Sequence, residues 1–466
     1  MRYFSILLVF AGLFHGCSLE EEPRTFISPN AFFTDEASYD AAVVGIYSNV
    51  GGAWELTMTE MFSDIYDVPD ESAEQALPAY QNNTQPFFYN VRGLWSTGYT
   101  IAKNANFVIS KIPDDYPRLI AEARFLRAYA YFYLVQFYGD LPLRKTPVED
   151  YAEVQLAKSS EQEIYDFILE DLLYAESNLP DQAPLEGRAH KGAATALLAK
   201  VYLTMAGNPL NRTEYFATAR DKALAVINSG RYSLPETYAD VFHTTNYSPE
   251  VIWGKVYDPQ KGGNSITGVT MTSAGYKPIL LPAPWFINSF SAGDQRTEWG
   301  INEGYVDPGG NVLKTFFQKF VNNANIDADL SVSAMITSYP VPILRLAEMY
   351  LIAAEAENEV NGPAQAYSYI NKIRWRARTD KNDPASVPDL ANLTKEQFRE
   401  AVYLERKHEL HLEGSTWMDL KRTNNLQRIQ EIRGNTLVHP IGVYNQRWPI
   451  PDTEITNNNI EQNPLP

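Results

Sequence analysis

The chain has 466 residues, with 57 acidic against 39 basic side chains, a formal charge of −18, and a single cysteine. That balance excludes nucleic acid as a partner, because phosphates demand a basic face, and the lone cysteine excludes an intrachain disulfide, a thiolate metal site and a cysteine nucleophile in the body. Hydrophobic content of 45% and aromatic content of 13% predict a packed globular body, one large domain or a few ordinary ones.

At the N-terminus, Arg2 precedes an apolar run from Tyr3 to Gly16. Residues 1–16 read as a signal peptide, since the run is shorter than the about 20 apolar residues a membrane-spanning helix needs. Cys17 follows the small Gly16, the layout for lipoprotein processing, in which the thiol takes a diacylglyceryl group and becomes the new N-terminus. Phe14 and His15 depart from the small or aliphatic residues usual before such a cysteine; an ordinary signal peptide and a buried N-terminal helix are the alternatives. Residues 17–23, ending Glu20-Glu21-Glu22-Pro23, form an acidic tether that has nothing to bury. No second apolar stretch reaches transmembrane length, so the chain is expected to be anchored to a membrane rather than to span it.

From about residue 36 to 230 the pattern is helical. Phe125, Tyr129 and Phe132 form one stripe within 121–138, and Gly139 and Pro142 end it. Ser160 and Glu163 make a capping box ahead of Ile164, Phe167, Ile168 and Leu172. Ala194, Leu197, Leu198, Val201, Tyr202 and Met205 follow at helical spacing, with Phe216 to Ile227 as an antiparallel partner. Small residues at 192–196 and at Ala217, Ala219 and Ala223 let the two backbones approach closely, the character of a tetratricopeptide-type hairpin. A second such hairpin is expected from Leu344 to Glu359 and from Ala364 to Arg378. The strict repeat consensus is absent, so these are degenerate repeats.

Residues 231–342 differ. Ten glycines fall between Gly254 and Gly310, among several prolines and the rings of Trp253, Tyr257, Tyr276, Trp285, Phe286, Trp299 and Tyr305. Long irregular loops inside a packed protein are uncommon unless functional. A second aromatic loop region runs from Trp54 to Tyr89. Further on, Thr394 and Gln397 cap a last helix expected to run to about Glu413 and stop at Gly414. The tail from Trp448 reads as extended coil.

Several segments together resemble the SusD/RagB outer-membrane lipoproteins. They are Phe32-Phe33-Thr34-Asp35 with Ala41 to Tyr47, Glu122 to Tyr129, Tyr138-Gly139-Asp140-Leu141-Pro142, and Gly187-Arg188. Leu344 to Ala356, Glu405-Arg406-Lys407-His408-Glu409-Leu410, Glu413-Gly414 and Trp417 to Arg422 continue the match, and Pro449-Ile450-Pro451 and Gln462-Asn463-Pro464 close it. Thr416 and Leu465-Pro466 depart from the family pattern. The resemblance implies a mostly α fold with degenerate tetratricopeptide-type hairpins and long irregular loops. Residues 24–230 would form an N-terminal helical region and 231–466 a C-terminal region carrying the ligand loops, in one compact body. It also implies a non-enzymatic protein without a cofactor, lipid-anchored at Cys17 on the exterior of the outer membrane. Such a protein binds an oligosaccharide and hands it to a SusC-like TonB-dependent transporter.

The residues themselves leave three other readings open: a surface glycoside hydrolase, an interaction scaffold without a sugar, and a binder of peptide or another non-glycan nutrient. Glu405, Glu409 and Glu413 share one helix face, a row more often tied to arginines in a bundle than used for acid–base work. His408-Glu409-Leu410-His411 lacks the i, i+4 histidine spacing of a zincin, so no metal site is expected. The loop aromatics are the candidate ligand platforms, because a flat ring matches the C–H face of a sugar while neighbouring polar groups meet its hydroxyls. Tyr66 (beside Asp64 and Asp67), Tyr80, Trp285 and Trp299, with Asp294 and Arg296 between the last two, are the candidate contacts.

Overall fold

The computed structural model describes residues 29–51, 60, 62–67, 85–150, 153–258, 260, 280–303, 315–320, 339–434, 437 and 440–465. Helix α1 (Glu36–Tyr47) opens with a capping box between Asp35 and Ser38. Helices α2 (Gln85–Ile109) and α3 (Pro117–Tyr138) follow. Pro117 suits the first turn of α3, where a backbone N–H would go unused, and Gly139 leaves the helix at φ 70°. Nearly every side chain of α3 is buried, as expected of a helix apolar on all sides. It is flanked by α1, by α2 and by α4 (Glu161–Asn178).

The chain then adds helices one beside the next. The capping box of α4 is the predicted Ser160–Glu163 pair. Helix α5 (Lys191–Ala206) packs on α4, and α6 (Tyr215–Asn228) packs on α5. Ala193, Ala194 and Ala196 of α5 and Ala219 and Ala223 of α6 are all buried, so the predicted small-residue hairpin is present. Helix α2 approaches α3 closely, and a Cβ on Gly98 would lie 2.6 Å from the Leu134 side chain.

Among the described residues, strands are short and paired. They are β1 (Tyr66–Asp67), β2 (Leu141–Pro142), β3 (Lys158–Ser159), β4 (Val251–Lys255), β5 (Leu281–Pro282), β6 (Ile301–Asn302), β7 (Phe316–Phe317) and β8 (Val341–Arg345), joined antiparallel as β1–β5, β2–β3, β4–β8 and β6–β7. The β4–β8 pair matters most for the course of the chain. Val251 lies opposite Arg345 and Lys255 opposite Val341, so the Gly-rich excursion between them leaves and re-enters the helical stack at one place. A side chain at Gly254 would run into the Val341 carbonyl, which is why glycine stands there. Trp253 anchors this base on α3, edge-on to Phe125 at 4.8 Å and Tyr129 at 5.1 Å. Among the described residues of the excursion lie two short helices, α7 (Pro284–Ile287) and α8 (Gln295–Gly300).

After β8, α9 (Leu346–Asn361) packs back against α6, and α10 (Pro363–Ala377) and α11 (Lys395–Leu410) pack on α9. Two short helices, α12 (Thr416–Arg422) and α13 (Gln427–Arg433), and later α14 (Asp452–Asn458), finish the chain. One contiguous apolar cluster contains Tyr39 at one end of the sequence and Ile460 at the other. No helix among the described residues is long and apolar enough to cross a membrane.

Four boundaries differ from the sequence reading, the first being the aromatic loop read to Tyr89, which gives way to α2 at Gln85. Leu344 and Arg345 belong to β8, because their backbone groups pair with β4. Helix α11 stops at Leu410, not Glu413: Lys319 Nζ takes the carbonyls of Glu409 and His411 at 2.8 and 2.9 Å, and Tyr66 Oη accepts the Leu412 N–H at 2.7 Å. Side chains thus replace the partners that another helical turn would supply. The tail is not all coil, since α14 forms behind Pro451, with Asp452 and Glu454 in its first turn and Asn459 as a left-handed cap at φ 51°.

Candidate ligand-binding site

Beneath the site lies a buried lattice of charges. Glu405 accepts from Arg296 at 2.6 Å and from Arg374 at 2.7 Å. Glu409 is met by Arg345 at 2.7 Å, by Arg296 at 3.3 Å, and by Arg376 and the Tyr238 hydroxyl. Glu413 is held by Arg345 at 2.6 Å and Lys319 at 2.5 Å. Burial alone would raise the Glu409 carboxyl, but Arg376, Arg345 and Arg296 hold it well below the usual carboxylate range. The glutamate row on α11 is therefore tied to arginines, as its spacing predicted.

Asp294 and Arg296 join this lattice. Asp294 caps α8 by accepting the Arg296 N–H, and its carboxylate takes the Arg296 guanidinium at 2.9 and 2.7 Å. Both are buried, so they are core ion-pair residues rather than ligand contacts. Tyr66 is likewise a core residue. Its ring is 0% exposed against Phe317 and its hydroxyl is spent on Leu412 N. Trp299 is half-buried beside His243, against a cavity of about 10 Å³ that has room for one water and none for a sugar. His408 stacks on Phe290 at 4.1 Å and pairs with Ser289 at 2.8 Å, while His411 Nδ1 donates to the His408 carbonyl. Burial pushes His408 down to about 3. Tyr80 and Cys17 lie outside the described residues.

Trp285 is placed differently. Helix α7 follows β5, and β5 pairs with β1, so the indole arrives beside the chain at Asp64 and donates to its carbonyl at 2.8 Å. Arg428 of α13 lies over the ring at 4.7 Å, and its Nε donates to the Asp64 carboxylate at 2.7 Å. Lys407 of α11 reaches the same carboxylate at 2.5 Å and the same ring at 5.4 Å. The guanidinium is thereby fixed by a ring and a carboxylate, with its side chain still 41% exposed.

Arg428 and Lys407 are also walls of an open cleft of about 410 Å³ between α11 and the α12–α13 turn. Tyr403, Asn424, Asn425 and Gln427 line it with hydroxyl and amide groups. Asn424 stands at φ 57°, a left-handed conformation that asparagine tolerates. Asp419, at the same wall, is held down to about 2: burial opposes this, and Arg406 and Arg422 overcome it. Both Asp419 oxygens are taken by those arginines, so the cleft offers a pre-positioned guanidinium and several neutral hydrogen-bonding groups, backed by an indole. Of the residues expected from the sequence that are described, only Trp285 adjoins this cleft, through Arg428 and Lys407. Asn424, Asn425, Gln427 and Arg428 were missed, although an Asn-Asn turn directly after a helix is a readable loop signal.

A helical-repeat scaffold that carries an open, polar, aromatic-backed cleft defines a binding protein in general terms, and comparison with known proteins makes it specific. The SusD family model matches residues 294–465, and a model described as starch-binding, associating with the outer membrane, matches residues 19–203. SusD-like protein P25 of Formosa agariphila is 27% identical, over 95% of this chain and 94% of its own. A solved SusD superfamily structure from Parabacteroides distasonis superposes with a TM-score of 0.78 at 24% identity, covering 92% of this chain and 99% of that one. A laminarin-binding SusD-like protein superposes with a TM-score of 0.76, also at 24% identity, over 92% of this chain and 99% of that one. The chain belongs to the SusD family, and its mostly α architecture is the fold expected from the sequence.

Proposed function

We propose that this protein is a non-catalytic, glycan-binding lipoprotein of the outer membrane, which captures an oligosaccharide at the cell exterior and passes it to a SusC-like TonB-dependent transporter. The cleft beside Trp285 carries this reading. A sugar presents hydroxyls around a ring whose faces are apolar C–H, and the cleft supplies both kinds of partner. Asn424, Asn425, Gln427 and the Arg428 Nη groups, which have no partner among the described residues, meet hydroxyls, and Tyr403 and Leu404 supply apolar surface, with Trp285 behind Arg428. Support for the class of ligand comes from the matched model's description as starch-binding and from the laminarin-binding relative. The same description supports membrane association, and a lipid on Cys17 would provide the anchor. Binding without hydrolysis fits the carboxylates Glu405 and Glu409, which are buried and occupied by arginines, leaving neither to protonate a glycosidic oxygen.

Calorimetric titration of residues 18–466 against a panel of oligosaccharides, followed by chromatography of each mixture, tests the reading. Binding with intact sugar is the expected result. Cleaved sugar would make the protein a hydrolase, and absence of heat with every glycan would overturn the ligand class and direct the search to peptides. Co-purification with the transporter tests the partner separately.

A further inference from the structure

A second cleft, of about 380 Å³, opens between α2 and the start of α14. Arg92, Ser96, Thr100 and Lys103 recur on α2 at steps of four, four and three, so they share one helix face along this cleft. None of these four side chains has a hydrogen-bond or ion-pair partner among the described residues, and Arg92 and Lys103 are exposed. Unpaired cations facing a cleft stand out in a chain of charge −18, where most buried arginines are locked onto carboxylates. Between them the rings of Trp95 and Tyr99 form the floor, 4.8 Å apart. Both are fixed: Trp95 packs edge-on to Tyr138 at 4.9 Å, and the Tyr99 hydroxyl donates to the Pro142 carbonyl at 2.7 Å. The opposite wall carries Glu454, which accepts from Asn458 at 3.1 Å and forms no ion pair with either cation.

We propose that this face of α2 binds an anionic oligosaccharide, uronic or sulfated, with Arg92 and Lys103 as its charge contacts. The proposal rests on the reading of the chain as a glycan binder. Eleven residues separate the two cations, about 16 Å along the helix axis, a span that fits an oligosaccharide rather than a single sugar. A carboxylate or sulfate gains a charge-assisted hydrogen bond at each end. Ser96 and Thr100 meet ring hydroxyls between the two, above the aromatic floor. Because both cations are solvent-exposed, the attraction is screened by salt.

The test compares a galacturonate tetramer, a sulfated galactose tetramer and a neutral glucose tetramer by calorimetry, at low and high salt. Three proteins are used: the wild-type chain of residues 18–466, Arg92→Gln/Lys103→Gln, and Trp285→Ala. At least one anionic tetramer is expected to bind in a salt-sensitive way. The double variant should lose about tenfold in that affinity, the scale of a lost hydrogen bond to a charged group, and most of the salt dependence. Which tetramer responds separates uronic from sulfated ligands. Anionic binding that survives in the double variant, or affinity equal to that for the neutral tetramer, overturns the site. Neutral binding lost only in Trp285→Ala, with no anionic binding, would leave the glycan reading standing and remove this one. No binding of any tetramer would remove both.

Discussion

Arg345, the last residue of β8, donates from Nη1 to the Glu409 carboxylate of α11 at 2.7 Å, and the two side chains are 1% and 0% exposed. The pair joins the base of the Gly-rich excursion to the end of the helix that walls the candidate cleft. Arg345 Nη2 also takes the Glu409 carbonyl at 2.8 Å, so one guanidinium fixes both the side chain and the helix terminus.

Glu409→Ala leaves Arg345 and Arg376 buried with fewer acceptors, and breaking a buried pair in this way costs about 3–5 kcal/mol. The urea midpoint should fall accordingly. An unchanged midpoint would mean that the lattice does not hold these elements together. The pH sign follows from a carboxyl held well below its ordinary value: its stabilisation is present above the unfolded pKa and is lost as pH falls through the depressed folded pKa. The wild-type chain should therefore lose this contribution only in strong acid.

Glu60 has the opposite sign. Burial raises its carboxyl to about 7, while its Oε1 accepts the N–H groups of Ser415 and Thr416 at 2.6 and 3.2 Å, at the start of α12. A raised carboxyl favours folding below the unfolded pKa, and that contribution is lost as pH rises through about 7. Glu60→Gln should flatten stability between about pH 5 and 7.5, removing a slope worth up to about 3 kcal/mol. Thermal or urea unfolding across that range measures it, and identical pH profiles for the two proteins would contradict the assignment.

Trp285 and Trp299 separate affinity from stability. Trp285→Ala removes the ring that holds Arg428 over the cleft, so glycan affinity should fall about tenfold, the scale of an aromatic contact with its cation, with little change in fold. Trp299→Ala touches the small cavity beside His243 and should lower the unfolding midpoint while leaving affinity intact. Calorimetry and circular dichroism on both variants read the two effects. A reversed pattern would move the ligand surface to Trp299.

Local signals in the sequence were legible where the outcome depends on neighbours along the chain. The capping boxes at Ser160 and Thr394, the exit at Gly139 and the alanine crossing of α5 and α6 all follow from adjacent residues. The end of α11 was not legible, because its terminating partners are Lys319 and Tyr66, distant in sequence. The same limit applies to the candidate contacts. Asp294 and Arg296 look like ligand groups between two tryptophans, yet Asp294 is taken by Arg296, and Arg296 reaches Glu405 and Glu409, more than a hundred residues later. Arg428 gave no local hint of the Asp64 carboxylate and Trp285 ring that fix it.

Gly98 tests the packing of α2 on α3. Its missing side chain admits Leu134, whose atoms would lie 2.6 to 2.9 Å from a Cβ at that position. Alanine is normally the better helix former by about 1 kcal/mol, so an exposed Gly98→Ala would stabilise the protein. Here Leu134 is fully buried between the helices and has to give way, and overpacking of this kind costs about 1–3 kcal/mol. The net effect should be a loss of stability. Gly98→Ala combined with Leu134→Ala should cost less than the two single variants added together, since the shorter side chain makes room for the new methyl, with a coupling of about 0.5–3 kcal/mol. Urea denaturation of the four proteins closes the cycle. Strict additivity would show that α2 and α3 do not meet at this crossing.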